Sequence, residues 1–314
     1  MIIQNYYLNP LTDFGFKRIF GSEENKPLLL DFLNSYLEAT LGLITEVTFL
    51  SPEVLGEEPG EKKSVFDLYC VTQNGDRVII EMQRARQDFF SSRTVAYSAR
   101  VISKSIRRGD KKYRLSRVVS FNILDYDSPD FRDRNAYFHT VWLKDDLNEI
   151  FSDKMCLCFL ELSKFAALTK PDASEGKRRL WAYFLKHLPE MQPAEETLTD
   201  GIFKDLMETC RMEKLNDMEK KDYEKSVLDY EDVQDAIAYA RKTALEEGLA
   251  KGLTEGKAEG KAEGLAEGLA EGRSEGEANA TRTIAAKMLA AGMDTAAISS
   301  LTGLTEEEIR SING

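Results

Sequence analysis

The alternation of apolar and polar positions is sharpest from Ser64 to Gln83, where SVFDLYCVTQNGDRVIIEMQ reads as two strands around Asn74-Gly75. β-branched and aromatic runs mark the strands, and Asn-Gly tolerates the positive φ of a tight reversal. Side chains alternate across a strand, so Val78, Ile80 and Met82 share one face, and Glu81 and Gln83 share the other. On the first strand the apolar set is Phe66, Leu68 and Cys70. If both apolar sets face one core, Asp67 and Glu81 must come together, because a one-residue slip would put the two sets on opposite sides. A two-residue turn pairing Gln73 with Asp76 has the wrong parity, whereas an odd loop or a bulge has the right one. The pattern predicts a bulged hairpin.

Other elements follow from the same patterning. Asn9-Pro10 and Thr12 open a short helix that Gly21 closes, and a second helix starts at Ser22, takes its apolar face from LLLDFLNSYLEATLG and ends at Gly42. Ile44 to Leu50 reads as a strand, and Gly56 to Lys63 as a charged loop. After the hairpin comes a helix from about Phe89 to Arg108, with Val95, Ala99, Ile102 and Ile106 as its core-facing stripe. A strand at Arg117 to Leu124 completes the order α, β, β, β, α, β. Further strands are expected at Tyr137 to Leu143 and Met155 to Leu162. A helix at Glu175 to His187 buries Trp181 and Phe184, and Thr199 to Glu247 is helical with Tyr223, Val227, Tyr230 and Ile237 as anchors.

The chain has 314 residues, enough for one sizeable core plus extensions. Its net charge of −12 conceals a strong local bias: between Arg84 and Arg117 eleven basic residues stand against Asp88 and Asp110. On the helix, Arg93, Arg100, Lys104 and Arg107 fall on one side with Tyr97 beside them. They form a candidate phosphate track for double-stranded DNA, the plainer alternative being a solvated face. Cys70, Cys156, Cys158 and Cys210 show no zinc spacing and read as reduced thiols. With only His139 and His187, a Ser-His or Cys-His nucleophile has little to draw on. No signal peptide and no membrane-length apolar run is present, which points to a soluble, cytoplasmic protein without membrane contact.

Two carboxylates a few ångströms apart repel, and a divalent cation is what makes such a pair tolerable. Asp67 and Glu81 therefore suggest Mg²⁺ or Mn²⁺, the machinery of phosphodiester hydrolysis. The competing explanation is that acidic residues on a strand form its wet face. Asp13 and Glu53 are candidates for a third carboxylate, although capping or solvation is the commoner role for such residues.

Several separated motifs occur together: TDFGFKRIFG at Thr12 to Gly21, FDLYC at Phe66 to Cys70, IEMQ at Ile80 to Gln83, Arg93 and Tyr97, and ELSKF at Glu161 to Phe165. In this order they resemble the Rpn-type recombination-promoting nucleases, also described as PD-(D/E)XK nuclease family transposases. The resemblance covers roughly Asn5 to Tyr239. It implies an α/β, restriction-endonuclease-like core, a mixed sheet flanked by helices with a helical C-terminal extension, and Mg²⁺-dependent cleavage of DNA. It makes Asp67 and Glu81 metal ligands and places Gln83 where the wider superfamily has Lys. Gln donates only a neutral hydrogen bond where Lys carries charge, so modest activity is expected. Glu161 and Lys164 are motif residues to which the sequence assigns no chemistry; a structural ion pair would explain them equally well.

Domains are expected at residues 1–245, 246–277 and 278–314. The middle segment holds eight glycines at every fourth position from Gly248 to Gly276, each preceded by Glu or Lys. Eight glycines weaken a helix by roughly 1 kcal/mol each against Ala, so either copies pack through the repeat, giving a homo-oligomer, or it is an acidic tether. The tail from Thr281 suggests three short helices, with Asp294 and Thr305 as N-caps and a Thr305–Glu308 capping box. Its order superficially resembles a helix-turn-helix, but the last helix opens with Glu306, Glu307 and Glu308, so a docking or dimer module is expected rather than a DNA reader. The leading function is a metal-dependent DNA endonuclease. A DNA-binding protein with little catalysis and an oligomeric scaffold are the alternatives.

Overall fold

The structure, a computed structural model, describes residues 5–54, 64–106, 114–131, 135–165, 176–196 and 201–312. It divides into two compact units, Met1–Ala238 and Tyr239–Gly314.

The first unit opens with α1 (Asp13–Phe20), where Thr12 caps the helix by accepting from the Gly15 amide. A Cβ on Gly15 would lie 2.1 Å from the Asn9 carbonyl oxygen, so the TDFGF motif is a close backbone packing. Helix α2 (Lys26–Leu41) follows, with Pro27 in its first turn; its start falls after the expected Ser22. In chain order come β1 (Val47–Phe49), the short ribbon β2 (Glu53–Val54) and β3 (Ser64–Val65), β4 (Leu68–Thr72), β5 (Arg77–Gln83), α3 (Phe90–Lys104), β6 (Val118–Leu124), β7 (Phe138–Lys144) and β8 (Ile150–Glu161). Six strands form one mixed sheet in the order β1-β4-β5-β6-β8-β7, with β5, β6 and β8 parallel. Then come α4 (Lys177–His187), in which Trp181 and Phe184 are buried as expected, and the short α5 (Pro193–Glu196) and α6 (Ile202–Thr209). The loop expected at Gly56 to Lys63 lies outside the described residues.

The principal core lies between the sheet and α1, α2, α4 and α6, and it includes Phe20, Phe32, Phe121 and Trp181. Leu68, Cys70, Val78, Ile80 and Met82 face this core together. Their register, Leu68 opposite Ile80 and Cys70 opposite Val78, is set by a three-residue loop, Gln73–Asn74–Gly75, with Gly75 at φ +82. The odd loop that parity required is therefore present, and the β4–β5 register runs without the expected bulge. Phe66 departs from expectation. The backbone bends at Asp67 before β4 begins, which turns Phe66 to the opposite face beside Tyr69, Ile79 and Tyr97.

Helix α3 packs on β6 and β8, but not by the expected stripe. Phe90, Thr94, Ser98 and Val101 are buried, while Val95 and Ile106 are exposed. Small side chains let the helix approach the sheet. The hydroxyls of Thr94 and Ser98 need no partner from the sheet, because each donates to the carbonyl four residues earlier, Phe90 O at 3.0 Å and Thr94 O at 2.9 Å.

Helix α7 (Asp217–Ala290) starts in the first unit and runs unbroken through the glycine repeat. Its first turns dock on the core: Tyr223 Oη accepts from Asn9 N at 2.9 Å, Ser226 Oγ from Phe14 N at 3.0 Å, and Tyr230 donates to Asp125 at 3.0 Å. Of the expected anchors, Tyr223 is buried, and Val227 and Tyr230 pack half-buried against the same core. Within the second unit the repeat glycines have open space around them, and Leu245, Leu249, Leu253, Leu265 and Leu269 are exposed. The end of α7, with α8 (Thr295–Thr302) and α9 (Glu306–Ser311), encloses a small core of Ala285, Ile298 and Ile309. Gly303, at φ +75, makes the turn between α8 and α9, and the Thr305–Glu308 capping box is formed. Two of the three expected tail helices are separate, and the first is the end of α7. Among the described residues no helix is long and apolar enough to cross a membrane.

Candidate functional site

The site is a polar layer on the α3 side of the sheet, where alternation along β5 directs Glu81 and Gln83 beside Ile79. The bend at Asp67 brings its carboxylate to β5, where Oδ2 accepts from Met82 N at 2.7 Å. Glu81 is 7% exposed; its Oε2 accepts from Gln83 Nε2 at 3.3 Å, and its Oε1 is buried without a hydrogen-bond partner. Burial, and then the charge of Asp67, push the Glu81 pKa up to about 8. Burial also raises Asp67, against the pull of the Met82 amide, and the nearby Asp13 charge adds to the rise. Without a cation, burial and the Asp67 charge therefore favour the protonated form of Glu81.

Sequence reasoning missed Asn122. In β6 it stands opposite Glu81, fully buried, and its Nδ2 donates to Ser120 O at 3.1 Å and Cys158 O at 3.1 Å, while its Oδ1 has no partner. Two unpartnered oxygen acceptors thus sit on paired residues of neighbouring strands. The only sequence signal was a lone Asn inside an apolar run, VVSFNIL. Asp13 is exposed and paired with Lys17 at 2.9 Å, and Glu53 is exposed on β2. Asp13 lies close enough to act on Asp67, but among the described residues no group of three or more His, Cys, Asp or Glu side chains forms a cluster fit for a metal.

Two carboxylates with a spare buried oxygen suit a hard cation that keeps part of its water shell, the habit of Mg²⁺. The set fits Mg²⁺ or Mn²⁺ at Asp67 and Glu81.

The expected basic stripe is an edge of α3 rather than its outer face. Arg93, Tyr97 and Arg100 are half-buried along the segment that leads to Asp67, and Lys104 is exposed beyond them. Tyr97 packs on Phe66 with ring centroids 5.4 Å apart, and Arg100 Nη1 donates to Ser64 Oγ at 2.8 Å. Arg107 lies outside the described residues.

Glu161 is fully buried at the end of β8 and acts as a bolt. Its Oε1 accepts from Ser128 N at 2.5 Å, and its Oε2 meets Lys164 Nζ at 2.7 Å and His139 Nε2 at 3.0 Å. ELSKF is thus the ion pair that the sequence left open, and it fixes the loop after β6. His187 meets the Phe165 carbonyl at 2.6 Å, so both histidines have structural partners. The four cysteines are buried and free.

The pKa of Glu81 sets a pH dependence. The folded group binds its proton more tightly than the unfolded one, whose pKa is 4.5, so metal-free stability falls as pH rises from about 4.5 to about 8. Glu81→Gln removes that fall. In EDTA the variant should match wild type near pH 4.5 and exceed it by a few kcal/mol at pH 8.5, read from denaturant melts. A gap that does not widen with pH would disprove the raised pKa.

Comparison with known proteins bears on both units. No curated protein and no solved structure matches the chain. Residues 278–314 match the family model described as the Rpn/YhgA-like nuclease family, C-terminal HTH domain. That match corrects the expected docking module to a helix-turn-helix, here three helices around Ile298 and Ile309 with a left-handed Gly303 in the turn. Residues 10–240 match the model described as PD-(D/E)XK nuclease family transposase, and they contain the mixed sheet, the odd-looped hairpin, the half-buried Asp67 and the buried Glu81. Since that match spans most of its length, the chain belongs to the PD-(D/E)XK nuclease family transposases.

Proposed function

We propose that the protein is a Mg²⁺- or Mn²⁺-dependent DNA endonuclease that hydrolyses phosphodiester bonds in recombination or transposition. The observation that carries this reading is the Asp67–Glu81 pair, buried at a cost that only a cation or a retained proton relieves. Asp67 and Glu81 would hold the ion, which supplies an acidified water and charge at the leaving oxygen. Met82 N fixes the orientation of the Asp67 carboxylate, and Gln83 Nε2 that of Glu81. Arg100 and Lys104 continue from the site along α3 and suit the phosphates of a duplex. A second reading, a DNA-binding protein with little catalysis, is favoured by Gln83, a neutral amide at the superfamily's lysine position.

In plasmid nicking with Mg²⁺, Asp67→Ala and Glu81→Ala should each reduce the rate to background while the variants keep a cooperative melt, since the proposed ion loses a ligand in each. Nicking by either variant at the parental rate would place the metal elsewhere.

The track has its own test. Arg100→Ala with Lys104→Ala should weaken binding to all duplexes alike and flatten the slope of log affinity against log salt by about one unit for each phosphate no longer neutralised. An unchanged slope returns this edge to plain solvation.

The repeat is the surface for self-association in this reading. Five exposed leucines and eight glycines leave α7 short of intrinsic stability there, and a second copy covering the leucines would supply it. Deleting residues 245–277 should lower the oligomeric state in light scattering at matched concentration and leave nicking by the core intact. Equal masses per particle would make the repeat a spacer.

A further inference from the structure

We infer that Arg93 supplies from α3 the positive charge at the scissile phosphate that Gln83 cannot carry, and so acts as a catalytic residue. The inference rests on the nuclease reading above and assigns a role within it.

Gln83 is buried and uncharged, and its Nε2 is turned back to the Glu81 carboxylate. The site therefore has no cation on β5 facing the substrate. Of the neighbouring cations, Lys17 pairs with Asp13 and Arg100 donates to Ser64, while Lys17 and Arg84, the latter over the Tyr230 ring at 5.7 Å, bear on Asp67 rather than on Glu81.

Arg93 stands on α3 at the side of the site. It is on the edge of α3 that faces the approach to Asp67, since the next residue along that edge, Tyr97, packs on Phe66 directly before Asp67. Its guanidinium is held over Phe90 at 5.4 Å and Tyr97 at 5.8 Å, and one N–H donates to Gln87 Oε1 at 2.5 Å. Among the described residues it forms no ion pair with a carboxylate, so its charge is not cancelled at short range and further N–H donors remain for a phosphate oxygen.

The anchorage of α3 supports a fixed geometry. Ser91, two residues before Arg93, donates to Asp130 Oδ2 at 2.5 Å, and Asp130 lies in the loop that Glu161 bolts through Ser128. A charge placed in advance where a transition state gains negative charge is worth far more than a mobile one.

Single-turnover nicking of supercoiled plasmid in Mg²⁺ by wild type, Arg93→Ala, Arg93→Lys and the double variant Arg93→Ala with Gln83→Lys tests the assignment. Duplex affinity and melting are measured on the same samples. Arg93→Ala should slow the chemical step about 100-fold with duplex affinity changed less than about threefold, and Arg93→Lys should keep part of the rate. Gln83→Lys should restore at least tenfold to Arg93→Ala by returning a cation from β5. A full rate in Arg93→Ala, a loss explained by weaker binding or melting, or no rescue by Gln83→Lys would each overturn it. A wild type inert like Asp67→Ala removes the nuclease reading and this assignment together, whereas an active wild type with an equally active Arg93→Ala removes the assignment alone.

Discussion

Two carboxylates that repel are held in one buried layer because the hairpin leaves them nowhere else to go. Shifting the β4–β5 pairing by one residue would relieve the repulsion, and it would also turn Val78, Ile80 and Met82 out of the core. Burying three such side chains is worth several kcal/mol, so the packing wins and the electrostatic strain persists. The strain appears as a raised Glu81 pKa and as oxygens of Glu81 and Asn122 that, among the described residues, have no donor. A polar layer this poorly satisfied is unusual in a folded core.

Around that layer the rest of the first unit is support. The parallel strands β5, β6 and β8 deliver Gln83, Leu124 and Glu161 to the same end of the sheet. Glu161 ties down the loop after β6, and that loop in turn holds the start of α3 through Ser91. Helix α3 lies close to the sheet because it buries Thr94 and Ser98 rather than large side chains, which keeps Arg93 and Tyr97 near the segment that carries Asp67.

Much of this was legible in the sequence. Parity alone required the odd loop at Gln73–Gly75 and brought Asp67 to Glu81, because a period of two admits only one arrangement with a common core. The extent of α3 was legible too, but its orientation was not. Val95, Ala99, Ile102 and Ile106 make the more hydrophobic stripe, yet hydroxyls that bond their own helix are buried at little cost, and periodicity cannot weigh that. The inversion of Phe66 depends on a bend at Asp67 that no residue type announces. Asn122 was invisible, and of the Glu161 bolt only the Lys164 pair was legible, because the other partners are remote in sequence, Cys158 from Asn122, and Ser128 and His139 from Glu161. The tail shows a composition argument overreaching, since three glutamates on α9 outweighed a pattern of caps and turns that already described the module.

The bolt at Glu161 has a consequence for reading relatives of this chain. TDFGFKRIFG is a tight backbone contact at Gly15, and ELSKF is a buried charge network, so both are requirements of folding. A degenerate copy that had lost Asp67 or Glu81 would still need them and would still carry the family's outward signature. Overall motif similarity is then a measure of shared architecture. On the proposed reading, whether a given copy is a working enzyme or a pseudoenzyme would turn on a handful of positions in FDLYC, IEMQ and the first turns of α3.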